Sequence, residues 1–563
     1  MDNNKISRRS FIKGAAAVGA VGAAGAALGA CTPTGSAADN IKWDLEGDVV
    51  VLGTGAGGLC SSIAAARKGA KVLLLEKSNE DDQGGNTRVS GNMWTTATDP
   101  AEGLKYYIAA SERVTDNEYL KALVEAGPAL NTEFLDKLPD FNRLELAQFS
   151  PEFEALPGKG VIQAWQNGAT VNGQLWNALR AAADLEANIE GHFETPGKRL
   201  ITNEAGEVIG VVAEQGGKEI NVKARKGVVL ACGGYEFNEY LLQNSYPGWP
   251  PYSRGTPYNT GDGILMAQKA GAGLWHMNAS DSGVGAILAP GLNFGHGAYD
   301  SDKVPVNIGF SVGRASAMFK NLLQLDKYGK RFMPEDRDDS HGYGRREYLF
   351  FYDGVKCEWP NLPFWTVIDK AGATTAIGMG AVNGPDGSPL MTFTWFTARS
   401  GYTWSADNEA EVARGWIIKA DTIEDLAAQM TAKQANERQN IGRAGVVVDP
   451  AVLRKTIEDY NGYCAAGNDP DFGRSPETMV ALEPPFYAVQ TYPNQYNTQG
   501  GPKRNAKAQT LDAFDKPIPR LYNAGECGAG YGWVYNGGWN NAEAMITGLW
   551  AGEGAAALES WDA

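Results

Sequence analysis

The chain has 563 residues and a formal net charge of −16, from 50 Lys and Arg against 66 Asp and Glu. This length accommodates two or three domains around a large core, and the acidic balance speaks against nucleic acid as a partner. The six cysteines never fall as C-x-x-C and the four histidines never stand at metal-ligand spacing. Haem-attachment, zinc and dithiol motifs are thereby excluded, and no metal site is expected.

Residues 1–31 read as an address. Ser7-Arg8-Arg9-Ser10-Phe11-Ile12-Lys13 and the Ala/Gly/Val run to Ala30 resemble a twin-arginine export signal. The run is too Gly-rich and weakly apolar for the ~20 residues of a membrane span. Leu28-Gly29-Ala30-Cys31 resembles a lipobox with Cys31 as the lipidated residue, and a plain small-residue cleavage site fits equally well. The expectation is export to the periplasm or cell surface, with the membrane reached only through a lipid anchor at Cys31. Residues 32–45 form a polar linker.

The stretch Asp48 to Glu76 follows. Val49-Val50-Val51-Leu52 is an apolar, β-branched run suited to a strand buried on both faces. It runs into Gly53-Thr54-Gly55-Ala56-Gly57-Gly58, a G-x-G-x-x-G turn, then a helix from Leu59 to Lys68 and a second strand from Val72 to Leu75. The glycines permit a tight turn and close backbone approach. The helix N-terminus offers free N–H groups and its dipole to a pyrophosphate, and Glu76 is placed to take a ribose hydroxyl. This stretch predicts a dinucleotide site.

Helical periodicity covers about Pro100 to Leu138 and Leu175 to Leu185, with strands at Lys198–Ile201 and Val208–Glu214. Gly227 to Gly234 reads as a further buried strand, and Ile264 to Ala270 as a helix opened by Thr260-Gly261-Asp262-Gly263. From Leu274 to Pro485 the texture is richer in aromatics and loops. Strands are expected at Leu322–Leu325 and Pro363–Ile368, and helices at Ile423–Glu437 and Ala451–Ala465. The chain then returns to a strand and glycine turn around Ile518 to Glu526 and ends on a helix from Asn541 to Ala557.

Several of these pieces resemble, in order, the flavoprotein family of fumarate reductases, succinate dehydrogenase flavoprotein subunits and 3-ketosteroid dehydrogenases. They include the glycine turn, Glu76-Lys77-Ser78, Gly84-Gly85-Asn86-Thr87 and Leu230-Ala231-Cys232-Gly233-Gly234-Tyr235. Thr260-Gly261-Asp262-Gly263, Tyr328-Gly329-Lys330-Arg331-Phe332, Thr498-Gln499-Gly500-Gly501 and Leu521-Tyr522-Asn523-Ala524-Gly525-Glu526 follow. The resemblance implies an α/β fold: a Rossmann-like FAD-binding domain (46–274 and 486–563) with an inserted α+β substrate or capping domain (275–485). It implies non-covalent FAD, with NAD the other dinucleotide to consider. Gly53, Gly55, Ala56, Gly57, Gly58 and Glu76 are expected to hold the cofactor. So are Lys77, Ser78, Gly85, Asn86, Thr87 and Gly91, and farther along the chain Asp262, Glu526 and Asn541.

The chemistry so implied is hydride transfer between flavin N5 and a carbon of a C=C bond conjugated to a carbonyl, in either direction. The chain departs from the fumarate reductases where they bind a dicarboxylate. Met318 stands at the position of their proton-donating Arg, with Arg314 one helical turn earlier, and Asn497 replaces their His. Tyr531-Gly532-Trp533-Val534-Tyr535-Asn536-Gly537-Gly538 replaces their H-G-x-N-R clamp. The replacement resembles the ketosteroid dehydrogenases, in which a Tyr hydroxyl and a backbone N–H of a glycine turn bind a ketone oxygen.

Tyr535 is the first catalytic candidate, with Tyr531 and Arg314 as others. Gly538, Trp539 and Gly501 are candidates for substrate contact. Packing under the flavin is the plain alternative for Tyr535, and a surface ion pair for Arg314. Trp275, Trp365, Trp395, Phe396, Trp404, Trp533 and Trp539 either line a flat apolar pocket or form ordinary core. Cys232 and Cys527 read as buried, inert thiols.

An enone or hydrophobic enoate, steroid-like or phenolic, is expected as substrate ahead of fumarate, with an external cytochrome or flavoprotein as redox partner. Two other readings stay open. An NAD-dependent alcohol dehydrogenase predicts a colourless protein; a flavin electron carrier predicts a yellow one that no enone reoxidises.

Overall fold

The computed structural model describes residues 41–112, 114–146, 151–168, 173–246, 252–253, 255–287, 322–336, 346–370, 408–435, 446–532 and 534–563. The export-signal residues with Cys31, and Arg314, Met318, Trp395, Phe396, Trp404 and Trp533, lie outside the described residues.

Nine elements position the site: β1 (Leu45–Leu52), α1 (Ala56–Arg67), β2 (Val72–Leu75), α2 (Gly85–Arg88), β3 (Ile189–His192), β4 (Lys218–Leu230), β5 (Phe486–Thr498), β6 (Pro517–Asn523) and α3 (Trp539–Ala556). Strands β6, β4, β1, β2 and β3 lie side by side in that order, all parallel. Gln509–Leu511 adds antiparallel outside β6, and Val208–Gln215 with Gly197–Thr202 folds back antiparallel along β4. Val49, Val50, Val51, Val72 and Leu73 are fully buried, as the uninterrupted apolar runs of a two-sided parallel sheet require.

The ligand end of this sheet is set by helix packing. Helix α3 lies along α1 with the two chains running the same way: Gly548 faces Gly57, and Gly552 faces Ser61. A Cβ on Gly552 would sit 2.1 Å from the Ser61 carbonyl oxygen, and one on Gly548 2.5 Å from that of Gly57. Only glycine allows this backbone-to-backbone approach. Both helix N-termini therefore open on the same side.

A second, six-stranded sheet is organised on β5, which pairs with Tyr252–Ser253, Ser280–Ile287, Phe364–Ile368 and Ile418–Ala420; Leu322–Leu325 pairs with Phe364–Ile368. These pairings put Phe486–Thr498 with the second sheet rather than with the cofactor-binding one. Trp365, Leu426, Met430 and Leu453 form its core with helices Ile423–Gln434 and Pro450–Ala466. Beside it, Arg331 of the Gly329-Lys330-Arg331-Phe332 element pairs with Glu335 (2.7 Å) and Asp469 (2.8 Å), and Arg474 meets Glu335 at 3.3 Å. All four side chains are essentially buried, so this arginine rivets the second sheet. Of the aromatics weighed above, Trp365 and Trp539 are fully buried core, and Trp275 is half-buried against Tyr119 and His276.

Substituting Gly552→Val is expected to destabilise the protein by about 3 kcal/mol, the upper end of overpacking costs. Gly462→Ala, in helix Pro450–Ala466 where a Cβ meets nothing within 4 Å, is the control and should gain about 0.5–1 kcal/mol. Thermal or urea unfolding of both variants checks the pair.

Candidate active site

A cleft of about 1080 Å³, partly open to solvent, runs across the ligand end of the parallel sheet. Its walls come from the β1–α1 turn, the end of β2, α2, the turn after β4, residues 256–266, the glycine turn after β6 and the start of α3.

Gly53 leaves β1 at φ 104°, a left-handed conformation that suits glycine. A Cβ on Gly58 would fall 1.8 Å from the Gly53 carbonyl oxygen, so Gly58 closes the helix onto the turn and does not line the cleft. Gly55 and Gly85 are different. A Cβ on either would meet protein no closer than 3.7 Å; packing does not demand glycine at Gly55, which lines the cleft, whereas Gly85 stands at φ 54°, where a side chain is strained whatever the space. Helix α1 starts at this point without a side-chain cap on Gly55. The Ala56 amide donates to the Thr87 hydroxyl (3.0 Å), and the bare backbone of Gly55 beside this helix start fits a pyrophosphate.

Glu76 closes β2 and faces the same cleft. One carboxylate oxygen accepts from the Thr54 amide (3.1 Å) and hydroxyl, the other from the Ser78 amide (2.9 Å). Thr54, the first variable residue of the glycine motif, thus braces the acid for a ribose hydroxyl, a role the motif spacing alone does not reveal. Lys77 pairs with Asp262 (2.7 Å) and donates to Thr260 (2.6 Å). Among the described lining residues Lys77 is the one lysine or arginine, set against Glu76, Asp82, Asp262 and Glu526.

Farther along, the Asn86 amide nitrogen donates to Glu236 (2.7 Å) and to Glu526 (2.9 Å), while its oxygen accepts from the Thr256 amide (2.8 Å). Burial, with Glu236 beside it, pushes the Glu526 carboxyl well above the ordinary carboxylate range; burial also raises Glu236. Among the described residues, two polar groups on the wall have no partner: both ends of the Asn540 amide and the Thr256 hydroxyl. Buried donors and acceptors left without partners beside a cleft are what a bound polar ligand satisfies.

Tyr535, Asn497 and Asn541 also line the cleft. Its hydroxyl oxygen accepts from the Gly538 amide (2.9 Å), which turns the phenolic hydrogen elsewhere. The turn that carries it is tied down on both sides. Asn536 accepts from the Tyr106 hydroxyl (2.7 Å), the Gly537 amide donates to Glu152 (2.8 Å), and the Gly537 carbonyl accepts from the Thr95 hydroxyl. The Trp539 amide is also used, by the Asn536 carbonyl at 3.0 Å. The expected partnership of Tyr535 with a turn amide therefore takes another form: the amide holds the phenol.

Of the cofactor candidates, Gly53, Gly55, Ala56, Gly57, Glu76 and Lys77 line the cleft, as do Ser78, Gly85, Asn86, Thr87, Asp262, Glu526 and Asn541; Gly91 does not. Neither does Tyr531, which is buried in a stack with Trp539 (centroids 4.5 Å apart) against Tyr107. Gly538 caps α3 against Trp94 and Thr95. Trp539 is fully buried, and Gly501 packs on the Gly528 backbone; none of the three lines the cleft. Cys232 lines it and Cys527 lies buried behind, its thiol pushed up to about 12 by burial. Residues that sequence reading did not single out as site members are Thr54, Glu236, Asn540 and Thr256. No local pattern marks them, because each matters through a partner distant in sequence.

A parallel sheet with a glycine turn, a ribose acid and a long cleft defines a dinucleotide-binding protein. Residues 48–541 match the FAD binding domain family, and the chain belongs to that family. It is 26% identical to a digoxin reductase of Eggerthella lenta over 99% of this chain and 98% of that protein. It is also 26% identical to an acrylate reductase flavoprotein subunit of Shewanella woodyi, over 97% of each. Among solved structures, the 3-ketosteroid delta1-dehydrogenase of Sterolibacterium denitrificans superimposes with a TM-score of 0.70 at 21% identity, over 91% of this chain and 99% of that one. The cofactor is FAD, which sets the NAD alternative aside, and the protein is an FAD-dependent oxidoreductase acting on CH–CH groups.

Glu76→Ala should weaken FAD binding by about 10- to 100-fold, the loss of a charged hydrogen bond worth roughly 1.5–3 kcal/mol. Titrating apoprotein with FAD by fluorescence measures it.

Proposed function

We propose that the protein reduces a neutral, hydrophobic enone or enoate ester, drawing electrons from a separate redox protein. The observation that carries this reading is Tyr535 on the cleft wall. The phenol of Tyr535 stands there on a tied-down turn, in the stretch where fumarate reductases carry their carboxylate clamp. Lys77, the one described lining cation, is already spent on Asp262, so an anionic substrate gains nothing from it. The FAD, held without a covalent link, supplies hydride at N5.

The chain's own residues then have three tasks. Tyr535 donates a hydrogen bond to the substrate carbonyl as negative charge gathers on its oxygen, with the Gly538 amide fixing the phenol's orientation. Asn536, Glu152 and Thr95 hold that turn so the donor needs no reorganisation. Arg314, outside the described residues, is our candidate for returning a proton to the neighbouring carbon. We further assign the protein to export by the twin-arginine route. A separate electron donor is supported by the description of the Shewanella woodyi relative as a flavoprotein subunit.

Reduced anaerobically, the purified protein should be reoxidised by enones of steroid or phenolic type much faster than by fumarate, read from flavin absorbance. Tyr535→Phe should slow that reoxidation by about 100- to 1000-fold while FAD stays bound. An unchanged rate would remove Tyr535 from the mechanism. Steady turnover with NADH as sole reductant would sink the external donor.

A further inference from the structure

Glu236 is fully buried at the turn after β4, and Glu526 keeps one face open to the cleft in front of it. The two carboxylates converge. Asn86 donates to one oxygen of each, at 2.7 and 2.9 Å, and Thr498 meets the other two, its hydroxyl 3.3 Å from Glu236 and its amide 3.1 Å from Glu526. A Cβ on Gly234 would lie 2.6 Å from an oxygen of each acid, so the glycine is what lets them close up. Asn259 adds a second amide to Glu236 at 2.7 Å. Like charges held this close cannot both stay ionised, because the second ionisation meets the first at short range in a poorly hydrated site.

We propose that Glu236 is a positioning residue for the cofactor: it shares one proton with Glu526, so that the pair presents a single, fixed negative charge to the bound FAD. The inference rests on the FAD assignment and not on the substrate reading. The titratable neighbours on the surrounding elements are the Tyr235 phenol and the Cys527 thiol, both raised by burial. Glu76 and the Lys77–Asp262 pair share the same cleft. Asn86, Asn259 and Thr498 complete the ring of partners, on α2, the 256–260 segment and β5.

The proton links cofactor binding to pH with a definite sign. Covering the open face of Glu526 removes water and makes a second charge costlier, so the bound form keeps the shared proton to higher pH than the free form. Above the ordinary carboxylate range, FAD affinity must then fall as pH rises, by up to about tenfold per pH unit between the free and bound values of the pair. Glu236→Gln keeps the shape, donates to Glu526 permanently and abolishes the second ionisation.

The test is the FAD dissociation constant of apoprotein from about pH 5.5 to 9, read by flavin fluorescence for wild type and Glu236→Gln. The expected result is an affinity that falls with pH in wild type and stays level in the variant. A level wild-type profile, or a variant that falls in parallel with wild type, overturns the proposal. If the variant does not fold, calorimetric titration of wild type with FAD in two buffers of different ionisation heat decides. Proton uptake on binding supports the shared proton, and its absence at every pH rejects it.

Discussion

The structure depends on one close approach: α1 and α3 touching backbone to backbone through Gly57, Ser61, Gly548 and Gly552. Interiors are packed near crystal density, so helices this close admit no side chain between them. Because the two helices run the same way, the approach fixes the separation of their starts. The glycine turn after β1 and the turn that carries Tyr535 are thereby brought to one cleft from opposite ends of the chain.

Within that frame, polar side chains do what the apolar core cannot: they set direction. Thr54 and Ser78 aim Glu76, Asn86 joins α2 to the glycine turn after β6, and Gly538 aims Tyr535. A second layer supports the turn after β6. Arg504, fully buried, donates to the Gly525 carbonyl at 3.0 Å and pairs with Glu543, which accepts from the Gly530 amide at 2.7 Å. A buried pair of this kind contributes little net stability against its desolvation. Its six-residue loop nevertheless has both ends fixed.

Much of this was legible in the sequence because it is local. The β1–α1–β2 unit needs only a buried strand, glycines and an acid at the right spacing, and it lies where that spacing puts it. Strand β5 was not legible. Its Pro493 and polar residues argue against a central strand, and the structure accommodates the proline by shifting register against Val284. Helix α3 starts two residues earlier than its pattern suggests, since left-handed Gly538 caps it. Glu236 could not be found from sequence, because its meaning comes from Glu526 across the fold. The glycines after Tyr535 favour it over Tyr531 in the sequence, but the fate of Tyr531 is set by the fold: four residues along one turn send it into an aromatic stack and Tyr535 to the cleft.

The glycine turn at the start of α1 also bears on how the cofactor arrives. A protein carrying −16 charges repels an anionic dinucleotide at long range, and that repulsion fades beyond a Debye length of about 10 Å in 0.1 M salt. Attraction is confined to the last few ångströms, where the helix dipole acts against the surrounding carboxylates. Capture is thus a short-range event behind a long-range barrier. Raising ionic strength lowers the barrier more than it weakens the hold, so added salt speeds loading of the empty protein.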